Sequence, residues 1–85
     1  MPAEIKLYGT TWCGYCHRAK RLLNHKGLEF EDISVDGDAE ARRWLAELTG
    51  SGTVPQIFIN GISIGGSDEL HMLERSGKLD AMLES

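Results

Sequence analysis

Two cysteines, Cys13 and Cys16, stand three residues apart at the junction of a strand-like and a helix-like stretch, and the chain has no others. A disulfide framework therefore cannot hold it together, and 85 residues must fold on their apolar pattern alone. A chain of this size buries only about 60–65% of its unfolded surface. The core is expected to be thin, and residues 1–85 are expected to form a single domain.

The apolar pattern changes period along the chain. Residues 4–9 alternate, with Ile5 and Leu7 on one face, and predict a strand. Residues 14–26 predict a helix, with Ala19, Leu22 and Leu23 on one face and Gly27 at its end. Leu28, Phe30, Ile33 and Val35 mark a second strand. Together these predict a right-handed βαβ unit. Asp36 or Asp38 can cap a second helix, whose Ala41, Trp44, Leu45 and Leu48 keep helical spacing up to Gly50. Residues 54–59 form an apolar strand, and Asn60-Gly61 predicts a tight hairpin to Ile62 and Ile64. After Gly65-Gly66, Ser67 is expected to cap a helix carrying Leu70 and Leu73. Leu79, Met82 and Leu83 add a short C-terminal helix. The order is β-α-β-α-β-β-α plus that short helix. It is an α/β chain with a mixed sheet covered by helices.

Composition narrows the function. Apolar residues make up 41% and charged residues 26%, as in an ordinary globular protein. The net charge is −4 but unevenly spread. Residues 1–30 hold five basic residues (Lys6, Arg18, Lys20, Arg21, Lys26) against Glu4 and Glu29; the rest hold four against eleven acidic ones. An acidic chain without a strong basic stripe is a poor nucleic-acid binder. The positive excess surrounds the cysteines, where it would favour an anionic sulfur or substrate, although solvated helix faces explain most of it. The opening residues lack the apolar region of a signal peptide. No apolar run nears the roughly 20 residues needed to span a bilayer. A cytoplasmic protein without membrane partners is expected, and in that compartment paired cysteines are more often catalytic or metal-binding than structural.

The chemistry centres on Thr11-Trp12-Cys13-Gly14-Tyr15-Cys16-His17. A helix start offers unpaired N–H groups and the positive end of the dipole, which stabilise a thiolate at Cys13. Cys16, one turn on, is close enough to form a disulfide with it. Cys13 is the candidate nucleophile and Cys16 the candidate resolving thiol. Cys-x-x-Cys-His also attaches c-type haem, but that requires export. Zinc would need four ligands, and His17, His25 and His71 lack ligand spacing, so no metal site is expected. Two buried cysteines acting as small hydrophobes would leave their place between strand and helix unexplained.

Two further motifs add to this. Thr53-Val54-Pro55 opens the third strand, and Gly65-Gly66-Ser67-Asp68 opens the third helix. With Cys13-Gly14-Tyr15-Cys16 they resemble, in order and spacing, the motif set of the glutaredoxin family. The likeness covers essentially the whole chain. Residues 16–20 and 53–59 resemble small bacterial dithiol glutaredoxins of the glutaredoxin 3 type.

The resemblance implies a thioredoxin-like fold with a four-stranded mixed sheet, and glutathione-dependent reduction of disulfide-containing and glutathionylated proteins. Ribonucleotide reductase is a family expectation among those targets. It further implies a cis bond before Pro55 that turns Val54 toward Cys13, so that glutathione, the co-substrate, pairs with the Val54 backbone. Gly66 and Ser67 would meet its γ-glutamyl carboxylate and Asp68 its ammonium. Thr53 and Tyr15 would flank it, and Arg42 would hold the glycyl carboxylate. Each also has a plainer reading: Pro55 as a strand-start proline, Ser67 as a helix cap, Tyr15 as a shield of the helix start, Arg42 as a solvated arginine.

The chain departs from the family pattern at Thr10, where a lysine is frequent, and at Gly14, where proline is usual. Trp12 resembles thioredoxins, which take electrons from a flavoprotein reductase. Gly14 is also compatible with glutaredoxins that hold a [2Fe–2S] cluster between two subunits, with Cys13 and glutathione thiols as ligands. A monomer is expected, and a dimer only with such a cluster.

Overall fold

The computed structural model describes residues 3–84; Met1, Pro2 and Ser85, at the ends of the expected 1–85 domain, lie outside the described residues. The elements are β1 (Ile5–Gly9), α1 (Gly14–His25), β2 (Glu31–Ser34), α2 (Ala39–Thr49), β3 (Gln56–Ile59), β4 (Ile62–Gly65), α3 (Ser67–Arg75) and α4 (Lys78–Glu84). They follow the expected order. The sheet runs β2-β1-β3-β4, with β1 parallel to β2 and antiparallel to β3, and β4 antiparallel to β3.

Strand periodicity sorts the core into two faces. Ile5 and Leu7 of β1 and Ile57 and Ile59 of β3 pack with Ala19 and Leu23 of α1, Leu70 of α3 and Leu79 of α4. The alternate residues Tyr8 and Phe58 face the other way, with Val35, just after β2, and Leu45 of α2. This second face is shallow. Leu45 is buried, but Trp44 and Leu48 remain 47% and 56% exposed despite their helical spacing. Trp44 meets the edge of Tyr8, with ring centroids 5.6 Å apart.

The ends of the elements have local causes. Gly27 takes φ +71° and lets α1 close with two bonds, from the Gly27 N–H to the Asn24 carbonyl and from the Leu28 N–H to the Leu23 carbonyl. Leu28 is thus spent on ending the helix, and β2 starts three residues later than its apolar pattern suggests. Asp38, rather than Asp36, caps α2, accepting from the Ala41 N–H at 3.0 Å. Asn60 and Gly61 both have positive φ, the geometry of a tight hairpin turn.

The expectation at α3 needs correction. Gly66 is the N-cap residue, and Ser67 is already helical. The Ser67 hydroxyl is buried and caps nothing, whereas the Glu69 carboxylate accepts from the Gly66 N–H at 2.7 Å. A glutamate two residues after the serine competes for the same role, and with glycine at the cap it wins. Lys26, at the end of α1, joins Glu74 of α3 at 2.8 Å and Asp80 of α4 at 2.9 Å. The packing of α3 on α1 sets the third helix's N-terminus beside the cysteine motif.

Candidate active site

Cys13 is the N-cap of α1, with extended backbone angles. Its sulfur accepts a hydrogen bond from the Cys16 N–H at 3.1 Å and lies 3.7 Å from the Val54 carbonyl oxygen. It is partly exposed, and both cysteines are free thiols. Cys16 is fully buried one turn inside the helix. Burial is the main cause that pushes the Cys16 thiol up to about 11; its contact with Cys13 adds to the rise, and the Thr10 backbone opposes it. Cys16 therefore holds its proton at neutral pH, while Cys13 is the sulfur that an incoming molecule meets.

Gly9, at the end of β1, makes room for this arrangement. A Cβ there would stand 2.9 Å from the Cys16 sulfur. The loop between β1 and α1 is pinned on both sides. Thr11 gives its N–H and hydroxyl to the Asp36 carboxylate, and a His17 ring nitrogen pairs with the Thr11 carbonyl at 2.9 Å. The Thr11 hydroxyl, then its N–H, hold the Asp36 carboxyl below the usual carboxylate range. Trp12, between these anchors, is 95% exposed.

A groove of about 340 Å³ opens beside this motif, lined by Tyr15, Thr53, Val54, Pro55, Gly66, Ser67, Asp68 and Glu69. Seven of the eight residues picked out beside the cysteines from sequence are thus brought together. The Val54–Pro55 bond is cis, and a Cβ on Gly66 would come 3.2 Å from the Pro55 carbonyl oxygen. The third helix begins within this groove, and the unpartnered Ser67 hydroxyl lies at that helix start. Such a helix start suits an anion.

Arg42 is the eighth residue, and it does not line the groove. Its guanidinium donates to the Gly52 carbonyl at 3.3 Å, in the loop that leads into Thr53. Two participants were missed. Glu69 lines the groove because it caps α3, a role that sequence assigned to Ser67. Arg18 pairs with Asp68 at 3.2 Å across 50 residues of chain, and no local spacing signals that contact. Among the described residues no three metal-ligating side chains gather, so a cluster would need thiolates from outside the chain.

Comparison with known proteins identifies the group to which this site belongs. The Glutaredoxin family model matches residues 5–64. The chain is 53% identical to a glutaredoxin of Pseudomonas aeruginosa over the whole of both chains. It is 44% identical to glutaredoxin 3 of Escherichia coli, covering 96% of this chain and 99% of that one. Among solved structures, a buckwheat glutaredoxin–glutathione complex superposes with a TM-score of 0.88 at 36% identity, over 94% of this chain and 76% of its own. The fold and the paired thiols define a thiol–disulfide oxidoreductase of thioredoxin-like architecture. The chain belongs to the glutaredoxin family.

Proposed function

We propose that this chain reduces protein disulfides and glutathione mixed disulfides in the cytoplasm, as one 1–85 unit, with glutathione as its electron source. One observation carries the reading: the Cys13 sulfur lies 3.7 Å from the Val54 carbonyl, at the edge of a groove that ends in a helix N-terminus. A γ-glutamyl-cysteinyl peptide has the matching chemistry, a thiol flanked by backbone amides and a terminal α-amino acid. The buckwheat relative's complex with glutathione supports the same choice.

In this reading the Cys13 thiolate attacks one sulfur of a disulfide. A new S–S bond forms, the old one breaks, and the departing thiolate takes a proton from water. With a protein target, Cys16 then gives up its proton and attacks Cys13, releasing the second target thiol and leaving a Cys13–Cys16 disulfide. Two glutathione molecules restore the dithiol and leave as glutathione disulfide. With a glutathionylated target, Cys13 takes the glutathionyl group, and one further glutathione frees it.

Within the groove, the cysteinyl unit would pair with the Val54 backbone as an added strand. The Gly66 and Ser67 N–H groups, with the Ser67 hydroxyl, would bind the γ-glutamyl carboxylate, and Asp68 its ammonium. Tyr15 and Thr53 would flank the peptide. Arg42 would reach the glycyl carboxylate after releasing Gly52.

The test is a coupled assay on the mixed disulfide of glutathione and a small thiol. Turnover is expected with glutathione and its reductase. Equal or faster turnover with thioredoxin reductase in their place would contradict the reading.

A further inference from the structure

A second groove, of about 300 Å³, lies between α1 and α3 and is lined by Arg18, Arg21, Leu22, His25 and His71. Residues 18, 21, 22 and 25 fall at i, i+3, i+4 and i+7, so they form one stripe along α1. His71 faces them from α3. Arg18, Arg21 and His25 bring N–H donors, the His71 Nδ1–H is held by the Ser67 carbonyl at 2.8 Å, Leu22 is the apolar member, and no carboxylate lines the groove. Two acidic groups of α3 are already engaged: Asp68 holds Arg18, and Glu74 holds Lys26. Arg21 makes no ion pair among the described residues. In a chain of net charge −4, this is a local reversal of sign.

One ion pair links this groove to the one beside the thiols. Arg18, at its near end, pairs with Asp68, and Asp68 lines the groove beside Cys13. Along α1, the stripe's centre stands about 13 Å from Cys13 at roughly 1.5 Å per residue. An extended chain covers that distance in about four residues. Glutathione, a tripeptide placed in the other groove, does not reach this far. A protein substrate whose cysteine is at Cys13 does.

We infer that the α1–α3 groove docks an acidic segment of protein substrates, about four residues from the reacting cysteine. Carboxylates of the segment meet Arg21 and the His25 ring N–H, His71 closes the groove from α3 with its Nδ1 held by the Ser67 carbonyl, and one apolar side chain rests on Leu22. A single short stripe on an acidic protein suits an acidic peptide better than a polyanion such as nucleic acid. The inference relies on the proposed function only in that Cys13 reacts with disulfides.

The experiment compares two peptide disulfides that differ only at the fourth and fifth residues from the cysteine, Glu-Glu in one and Gln-Gln in the other. At low salt the parent should reduce the Glu-Glu peptide about ten-fold more efficiently, a modest value for electrostatic steering. The preference should shrink with added salt, disappear in Arg21→Gln, and invert toward a Lys-Lys peptide in Arg21→Glu/His25→Glu. All three proteins should reduce the small glutathione mixed disulfide alike, because neither substituted residue lines the thiol groove. Equal parent rates on both peptides would overturn the inference, as would a preference that survives the charge reversal. Loss of the small-substrate reaction in the parent would instead tell against the proposed function. Docking is then read separately by NMR titration with a cysteine-free Glu-Glu peptide: shifts should centre on Arg21, Leu22, His25 and His71, and their absence there would overturn it. Binding of anionic vesicles or polynucleotide through the same residues, without any peptide preference, would also overturn it.

Discussion

Two sulfurs of the same residue type are made unlike by one helical turn. Cys13 sits at the cap, accepts an N–H, and lies 3.7 Å from the carbonyl of Val54, which lines the groove; Cys16 is buried and its proton is held by desolvation. Such a pair can divide attack from resolution. Cys16→Ser is therefore expected to keep deglutathionylation near the parent rate and to lose most protein-disulfide reduction, with both activities measured on one preparation. Equal loss of both would mean that Cys16 shapes the Cys13 site itself. At the ligand end, Asp68→Ala and Arg42→Ala should each raise the KM for glutathione by about five-fold, since a part-exposed charge contributes around 1 kcal/mol. Unchanged kinetics in both variants would remove them from the binding site. The cysteines could be picked out from their place at a helix start, and the seven groove residues from resemblance to the family, because each motif is short and local. Arg18 could not, because its partner Asp68 comes from a distant helix. Ser67 was misjudged because a serine ahead of a helix and a serine in its first turn look alike in one dimension.

At the scale of elements, the site depends on how closely strand β1 and helix α1 approach. Gly9 ends the strand where any side chain would press on the Cys16 sulfur. Gly9→Ala should cost about 1–3 kcal/mol, read as a lower urea midpoint, because an added methyl has no room in a packed contact. The loop that follows is held by Asp36. Its carboxyl is depressed by Thr11, so the folded chain binds that proton less readily than the unfolded one. The anchor contributes fully above the unfolded value of about 3.9, and its contribution is lost as pH falls through the lower folded value. Asp36→Asn should thus be less stable than the parent at neutral pH, and the two should converge at strongly acid pH. A gap that persists there would show that the side chain acts through packing rather than charge. Element order and hairpin were visible in the apolar periods. The short β2 was not, because the ending of α1 consumes Leu28. The half-exposed Trp44 and Leu48 show that helical spacing marks a face without fixing how deeply a thin sheet can bury it.

At the scale of the molecule, helices α1 and α3 do more than cover the sheet. Leu23 and Leu70 join them in the core, Lys26 ties them at one end, and Arg18 ties them to each other beside the thiol. The helix starts that flank the groove are thereby fixed relative to each other before any ligand arrives. The sheet order followed from resemblance rather than from pattern, since pattern yields strands without their neighbours. The central claim is that Cys13 carries a glutathionyl group within the groove lined by Val54, Gly66 and Ser67. The most direct measurement uses Cys16→Ser treated with glutathione disulfide and followed by mass spectrometry and amide NMR. One glutathionyl adduct on Cys13 is predicted, with the amides of Val54, Gly66 and Ser67 shifted and the adduct removed by added glutathione. Failure to form the adduct, or an adduct that leaves those three amides unmoved, would contradict it.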